Sequence, residues 1–288
     1  MPENIRLKTG VIGLGALGAP VAGLLLKAGH AVAIYDVRSE PLAELRKLGA
    51  RACSSPAEVA QHSDIVISLV SDRAQTDDIV FGSKGMLDHL HTGAILAIGS
   101  TLGPEPVRHI AQKLAARDVE VLDIPISGGI LAAREGKLSL MAGGRAETLA
   151  RAQPVLGVFA NQITHTGDVG SGQAAKLAHQ LVFGLNVMAL LEGLSLGAAG
   201  GVTPAAMKTV LKQGLANSGV LQVWHDLGPR WKGMLEATAP DAPLPNLRKD
   251  LHLVLEYARE LGVELPLGSE ASRVADAGIA TGHDDPAL

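Results

Sequence analysis

The sequence predicts two domains, an α/β unit followed by an all-α unit, joined by a long interdomain helix. From residue 8 to about 165, apolar bursts of strand length alternate with amphipathic helical stretches, the pattern of parallel strands covered on both faces. Beyond "GDVGSG" the bursts nearly vanish and helix formers dominate. The expected domains are therefore 1–167 and 168–288.

The bursts are "TGVIGLG", "AVAIYD", "DIVISLV", "GAILAIG", "VEVLDI", "KLSLMAG" and "NQITHTG". Between them, helices are expected at Ala16–Ala28, Ser39–Leu48, Pro104–Ala116 and Ala146–Leu156. In the second domain, a run from Gly172 to Ala199 would be ~40 Å long as one helix. Further helices are expected at Pro204–Gln213, Val220–Leu235 and Arg248–Leu261, with Pro- and Gly-rich breaks between them.

Composition narrows the function. The 288 residues are 47% hydrophobic but only 2% aromatic, so Ala, Val, Leu and Ile must fill the core. A net charge of −4, with acids and bases interspersed, argues against a nucleic-acid or membrane-surface protein. The single cysteine, Cys53, excludes an internal disulfide and a cysteine-rich metal site, and points to a reduced, cytoplasmic setting. No metal site is expected. No clean apolar run of membrane-spanning length is expected either, since Leu181–Gly200 contains Asn186 and Glu192.

"VIGLGALGAPVAGLLLKAGHAVAIYD" places Gly13, Gly15 and Gly18 between a strand and a helix, the G-x-G-x-x-G pattern of a Rossmann-like dinucleotide-binding unit. Gly13 permits the tight turn, Gly15 the approach of a pyrophosphate, and Gly18 close helix–strand packing. Leu14, Ala16 and Leu17 complete the turn, whose N–H groups and helix N-terminus favour phosphate. Asp36 ends the second strand about 20 residues on, where its carboxylate would accept bonds from a ribose diol and repel a 2′-phosphate. NAD is the expected cofactor. Arg38, two residues further, either meets the 2′-phosphate of NADP, the alternative cofactor, or is a solvated loop residue.

In "GQAAKLAHQLVF", Lys176, Gln180, Phe183, Val187 and Leu194 fall along one stripe, with His179 about 60° to one side at about 100° per residue. The polar trio therefore heads a face that turns apolar further along. Either this first turn is exposed and Lys176 solvated, or the lysine is buried for a purpose, because burying one unpaired is costly. Removing hydride from a secondary alcohol requires loss of the hydroxyl proton. A desolvated lysine can shuttle that proton near neutral pH, and an amide one turn away can orient the substrate.

The glycine turn, "DIPISGGILAAREGKLSLMAGG", "GSGQAAKLAHQ" and "RKDLHLVLEYARELGVELPL" occur in order along nearly the whole chain. Together they resemble the β-hydroxyacid dehydrogenase family, which includes 3-hydroxyisobutyrate, tartronate semialdehyde and 6-phosphogluconate enzymes. The resemblance implies dimers or tetramers assembled through the helical domain, and a set of site residues. Lys176 aligns with the catalytic lysine and Gln180 with the family's amide. Ser127, Gly128 and Gly129 fall on the substrate-binding motif, where a hydroxyl and glycine N–H groups would hold a carboxylate; by local chemistry they equally form a Gly-rich turn. Thr101 matches a residue near the nicotinamide ribose, and also reads as a helix cap. Lys249 and Asp250 match a "KDL" motif whose lysine lies near nicotinamide and substrate; alternatively they are a solvated helix-start pair.

The chain departs from the family pattern in places. Val70–Ser71 replaces an "LP" at the cofactor, and Ile98 stands where an aspartate is usual. K-x-x-H-Q replaces K-x-x-N-N and is similar to the threonate and erythronate type of sugar-acid dehydrogenase. His179 would then supply an extra hydrogen-bonding group for a hydroxylated or longer acid.

The expected activity is an NAD(P)-dependent oxidoreductase acting on a small β-hydroxy acid, or on its semialdehyde or keto acid, with Lys176 as general acid/base. Imine reduction on the same architecture and a non-catalytic dinucleotide-binding module are the alternatives; relatives of both kinds tend to lack the lysine. The expected partners are a small carboxylate substrate and further copies of the chain, with neither nucleic acid nor membrane. Trp224 and Trp231 are candidates for the pocket wall, the core or a subunit interface.

Overall fold

A computed structural model describes residues 7–222 and 243–281 and divides into two compact units, Met1–Lys176 and Leu177–Leu288. Each burst in the first unit forms a strand: β1 (Thr9–Ile12), β2 (Val32–Tyr35), β4 (Ile65–Ser68), β5 (Ile95–Ile98), β6 (Glu120–Asp123), β8 (Leu138–Gly143) and β9 (Ala160–Gly167). Two short strands not expected from sequence join them, β3 (Arg51–Ala52) and β7 (Ile126–Ser127). The sheet runs β3-β2-β1-β4-β5-β6-β8-β7, with β9 paired to β8. Strands β1 to β6 are all parallel in the order typical of dinucleotide-binding sheets, so the order reverses direction between β1 and β4.

Uniform parallel pairing fails beyond β6. Strand β8 runs antiparallel to β6 and β7, then parallel to β9. The short connection through β7 and the following helix reverses the chain without a full crossover.

Helices cover both faces: α1 (Gly18–Lys27), α2 (Ser39–Lys47), α3 (Pro56–Gln61), α4 (Arg73–Phe81), α5 (Pro104–Ala115), α6 (Gly129–Glu135) and α7 (Ala146–Leu156). Alternate strand residues feed two cores. Val11, Ile65, Ile67, Ile95 and Ala97 point to one, and Ile12, Val66, Leu96 and Ile98 to the other. Each fully buried Val or Ile contributes about 1.5–3 kcal/mol, so aliphatics suffice where aromatics are scarce. Phe159 is the largest of the fully buried side chains among the described residues.

Helix α8 (Ser171–Ala199) begins in the first unit and continues into the second, followed by α9 (Pro204–Gln213), α10 (Pro243–Leu261) and α11 (Pro266–Thr281). Val187, Leu190, Val220, Leu221, Leu247, Leu251, Ala271 and Ala275 form the core of the helical unit. Arg248 and His252 of α10 pair with Asp276 of α11. The expected helix Val220–Leu235 lies largely, and both tryptophans wholly, outside the described residues. Among the described residues α8 is the one helix long and apolar enough to cross a membrane by length and composition, although its apolar run is not a clean one. Asn186 and Glu192 interrupt the run without lowering its average enough. The first turn of α8 is nonetheless bonded into the α/β unit, through Asp123 and the loop after β5.

Candidate active site

The glycine turn lies at the carboxyl end of β1, at the point where strand order reverses. Gly13 has φ +87°, which favours glycine, and a methyl there would lie 2.8 Å from the Leu69 carbonyl and the Val70 nitrogen. A methyl on Gly18 would lie 1.8 Å from the Gly13 carbonyl oxygen, so helix α1 cannot start there with any larger residue. Gly15 differs: a methyl would meet nothing closer than Arg38 Nη2, at 4.0 Å. The outer face of the turn is therefore open while its inner face is filled, as a dinucleotide pyrophosphate requires. Leu14 is buried beneath it, and Ala16 and Leu17 lead half-buried into α1.

Asp36, at the end of β2, is buried and accepts from Leu14 N at 2.6 Å, binding the turn to the second strand. Arg38 donates to the same carboxylate from its backbone N at 2.9 Å, from Nε at 3.0 Å and from Nη2 at 3.1 Å. Burial works against the charge, yet the Arg38 side chain and the Arg38 and Leu14 backbone N–H groups hold the carboxyl below its ordinary value. Arg38 is thus paired with the ribose-binding candidate rather than merely solvated, while its side chain is 55% exposed.

Further candidates of this unit follow the carboxyl ends of β4, β5 and β6. Val70 and Ser71 follow β4, and the Val70 nitrogen backs Gly13. Ser100 Oγ donates to the Val70 carbonyl at 2.6 Å, fastening the β5–α5 loop to the β4 loop. Thr101 lies half-buried on that loop. It does not cap α5, whose N-cap residue is Gly103. After β6, Ser127 ends β7, Gly128 is the N-cap residue of α6 with φ +120°, and Gly129 is its first residue. The motif therefore opens a helix rather than leading directly into the next strand.

Two fully buried polar residues fix the start of α8. Asp123, at the end of β6, accepts from Gly170 N and Gln173 N, both at 2.8 Å. A carboxylate at a helix N-terminus is favoured by the free N–H groups and the dipole. Burial still pushes this carboxyl above its ordinary value. The Gln173 amide oxygen accepts from Leu102 N at 2.9 Å and Gly103 N at 3.2 Å, and its Nε2 donates to the Ser100 carbonyl at 2.9 Å. One turn on stands Lys176, only 6% exposed, so the sequence alternative of a solvated lysine is excluded.

In the helical unit, Gln180 is buried and its Nε2 donates to Asp250 Oδ2 at 2.5 Å. Its amide oxygen faces His179 Nδ1 at 3.0 Å. With the amide held this way round by the carboxylate, its oxygen selects the ring form protonated on Nδ1. Lys249 Nζ lies 3.3 Å from Asp250 Oδ1, so the "KD" pair forms part of this polar group rather than a solvated helix start. Among the described residues no cluster of His, Cys, Asp or Glu could hold a metal ion.

Sequence reading does not single out Asp123, Gln173 or Ser100. A polar residue one turn ahead of Lys176, in an otherwise apolar helix, is the signal that marks Gln173.

Residues 8–167 match the model of the NAD binding domain of 6-phosphogluconate dehydrogenase. Residues 170–287 match that of the NAD-binding domain of NADP-dependent 3-hydroxyisobutyrate dehydrogenase. The chain is 34% identical to 3-hydroxyisobutyrate dehydrogenase of Pseudomonas aeruginosa, over 90% of this chain and 88% of that one. It is 33% identical to L-threonate dehydrogenase of Cupriavidus necator, over 100% of this chain and 95% of the relative. A solved structure of 3-hydroxyisobutyrate dehydrogenase from Salmonella typhimurium superposes with TM-score 0.83 at 29% identity, covering 96% of this chain and 95% of that one. With the glycine turn, its partner acid and a buried lysine in place, these matches show that the chain belongs to the β-hydroxyacid dehydrogenase family of NAD(P)-dependent oxidoreductases.

Proposed function

We propose that this protein interconverts a small hydroxylated β-hydroxy acid and its carbonyl form, with Lys176 as general acid/base. One observation carries the reading: a nearly fully buried lysine on a helix turn bonded directly to the loop of Thr101. The dinucleotide, when bound, takes or gives the hydride. As the substrate C–H hydride departs, neutral Lys176 accepts the hydroxyl proton; in reduction the ammonium returns it to the carbonyl oxygen. Ser127, Gly128 and Gly129 hold the substrate carboxylate, and Gln180 and Lys249 orient the reacting end. The glycine turn from Gly13 to Gly18, with Val70, Ser71 and Thr101, seats the cofactor. Residues 1–167 act as the dinucleotide domain, and residues 168–288 as the domain for substrate and for assembly.

His179 gives the substrate preference. Its ring, held by Gln180, adds a hydrogen-bonding group beside the lysine turn, which suits a polyhydroxy acid of the L-threonate kind. His179→Ala is expected to lower kcat/KM for L-threonate about tenfold or more, with little change for 3-hydroxyisobutyrate. Equal effects on both acids contradict the assignment.

NAD is the preferred cofactor, because Asp36 stays ionised and buried. The Arg38 pair also gives the enzyme a route to NADP, since an exposed guanidinium can turn from the carboxylate to a 2′-phosphate. Arg38→Ala is expected to lower NADP affinity about tenfold or more while NAD affinity holds or rises. Binding titrations with both cofactors decide this; parallel losses contradict it.

The exposed apolar residues Val182 and Leu196 on α8 and Val210 on α9 support assembly into a homodimer or homotetramer through the helical unit. Buried, unpaired Cys53 is consistent with a reducing, cytoplasmic setting.

A further inference from the structure

Gln173 joins two pieces of the site that the chain supplies from distant positions. Its side chain makes three bonds, all to the backbone of the loop between β5 and α5, and bridges Thr101 from both sides by holding residue 100 and residues 102 and 103. Its own backbone N–H is held by Asp123. Ser100 passes the connection on to Val70, behind the glycine turn. Lys176 stands three residues after Gln173, about 4.5 Å along the helix axis. The amide can satisfy this backbone only because it offers an acceptor and a donor together, and it is fully buried, so no water can replace it.

We propose that Gln173 is a positioning residue for the hydride and proton transfer: it sets the distance between the Thr101 loop and the Lys176 turn. The proposal rests on Lys176 serving as the acid/base. Gln173 touches neither substrate nor cofactor; it acts through the loop and the helix. Displacing catalytic groups by about 1 Å costs on the order of 100-fold in rate.

The test uses the full chain with NAD and L-threonate or 3-hydroxyisobutyrate, whichever is turned over. In Gln173→Met the bonds are lost at similar volume; Gln173→Glu keeps the acceptor for Leu102 and Gly103 but loses the donor to Ser100. Each is expected to lower kcat roughly 10- to 100-fold. The primary deuterium isotope effect on hydride transfer should rise, while the NAD dissociation constant stays near that of wild type. A loss confined to KM, or a fall in kcat that tracks the folded fraction with an unchanged isotope effect, overturns the proposal. If Gln173→Met does not fold, Gln173→Glu decides by the same readouts. Lys176→Ala is run alongside. If it is inactive while both Gln173 variants match wild type, this inference alone fails; if it retains turnover, the reading beneath it fails as well.

Discussion

Lys176→Ala is expected to lower kcat by roughly 10²–10⁴-fold while leaving dinucleotide binding intact. The lysine is only 6% exposed, so bulk water does not already serve in its place. The cofactor turn lies at the end of β1 and is held to the end of β2, by Gly13 N donating to the Tyr35 carbonyl and Leu14 N to Asp36. NAD should therefore still stabilise the variant, by about 2.7 kcal/mol at a hundredfold excess over its dissociation constant. Calorimetry with and without NAD, beside steady-state rates, separates the two effects. A variant that retains turnover removes the lysine from the chemistry, and one that loses NAD stabilisation places its main role in cofactor binding.

The second large effect is a contrast between two glycines of one turn. Gly18→Ala forces a methyl onto the Gly13 backbone carbonyl, which has no flexible side chain to yield. Overpacking of this kind costs about 3 kcal/mol, a melting shift of roughly 6–12 °C. Gly15→Ala meets open space and should melt like wild type, yet its methyl projects where the pyrophosphate approaches the backbone. Its NAD affinity should fall about tenfold or more, or roughly 1.4 kcal/mol. One variant is thus unstable, and the other is stable but poor at binding. If both melt normally and both bind NAD normally, the turn is not the cofactor cradle.

Much of the fold is legible in the sequence, for identifiable physical reasons. Strands buried on both faces are nearly continuous apolar runs, and the glycine turn is marked because Gly13 and Gly18 are sterically obligatory. What escapes is short or long-range. Helix α3 spans six residues, too few to show a period, although Ser55 and Pro56 form a standard start. Helix α4 lacks a strong apolar stripe and is announced mainly by its Asp72 cap. Strand β7 has two residues, and its antiparallel pairing depends on tertiary context.

At the site, the sequence offers residue types but not their pairings. Asp36 and Arg38 look like alternative cofactor contacts, and in the structure they hold each other. Gln180 looks like a substrate amide, and it is also the link between His179 and Asp250. Gln173 is invisible as a partner because its bonds run to backbone about seventy residues earlier, which side-chain identity does not encode.

The most direct test of the proposed chemistry is a panel of small hydroxy acids assayed with NAD and NADP in parallel by the absorbance of reduced nicotinamide. The panel spans 3-hydroxyisobutyrate, L-threonate, L-serine and 2-hydroxy acids without a β-hydroxyl. The expected result is turnover of β-hydroxy acids, fastest with a polyhydroxylated one and with NAD, and none of acids lacking the β-hydroxyl. Reduction of a cyclic imine with no turnover of any hydroxy acid, or dinucleotide binding with no turnover at all, would contradict it.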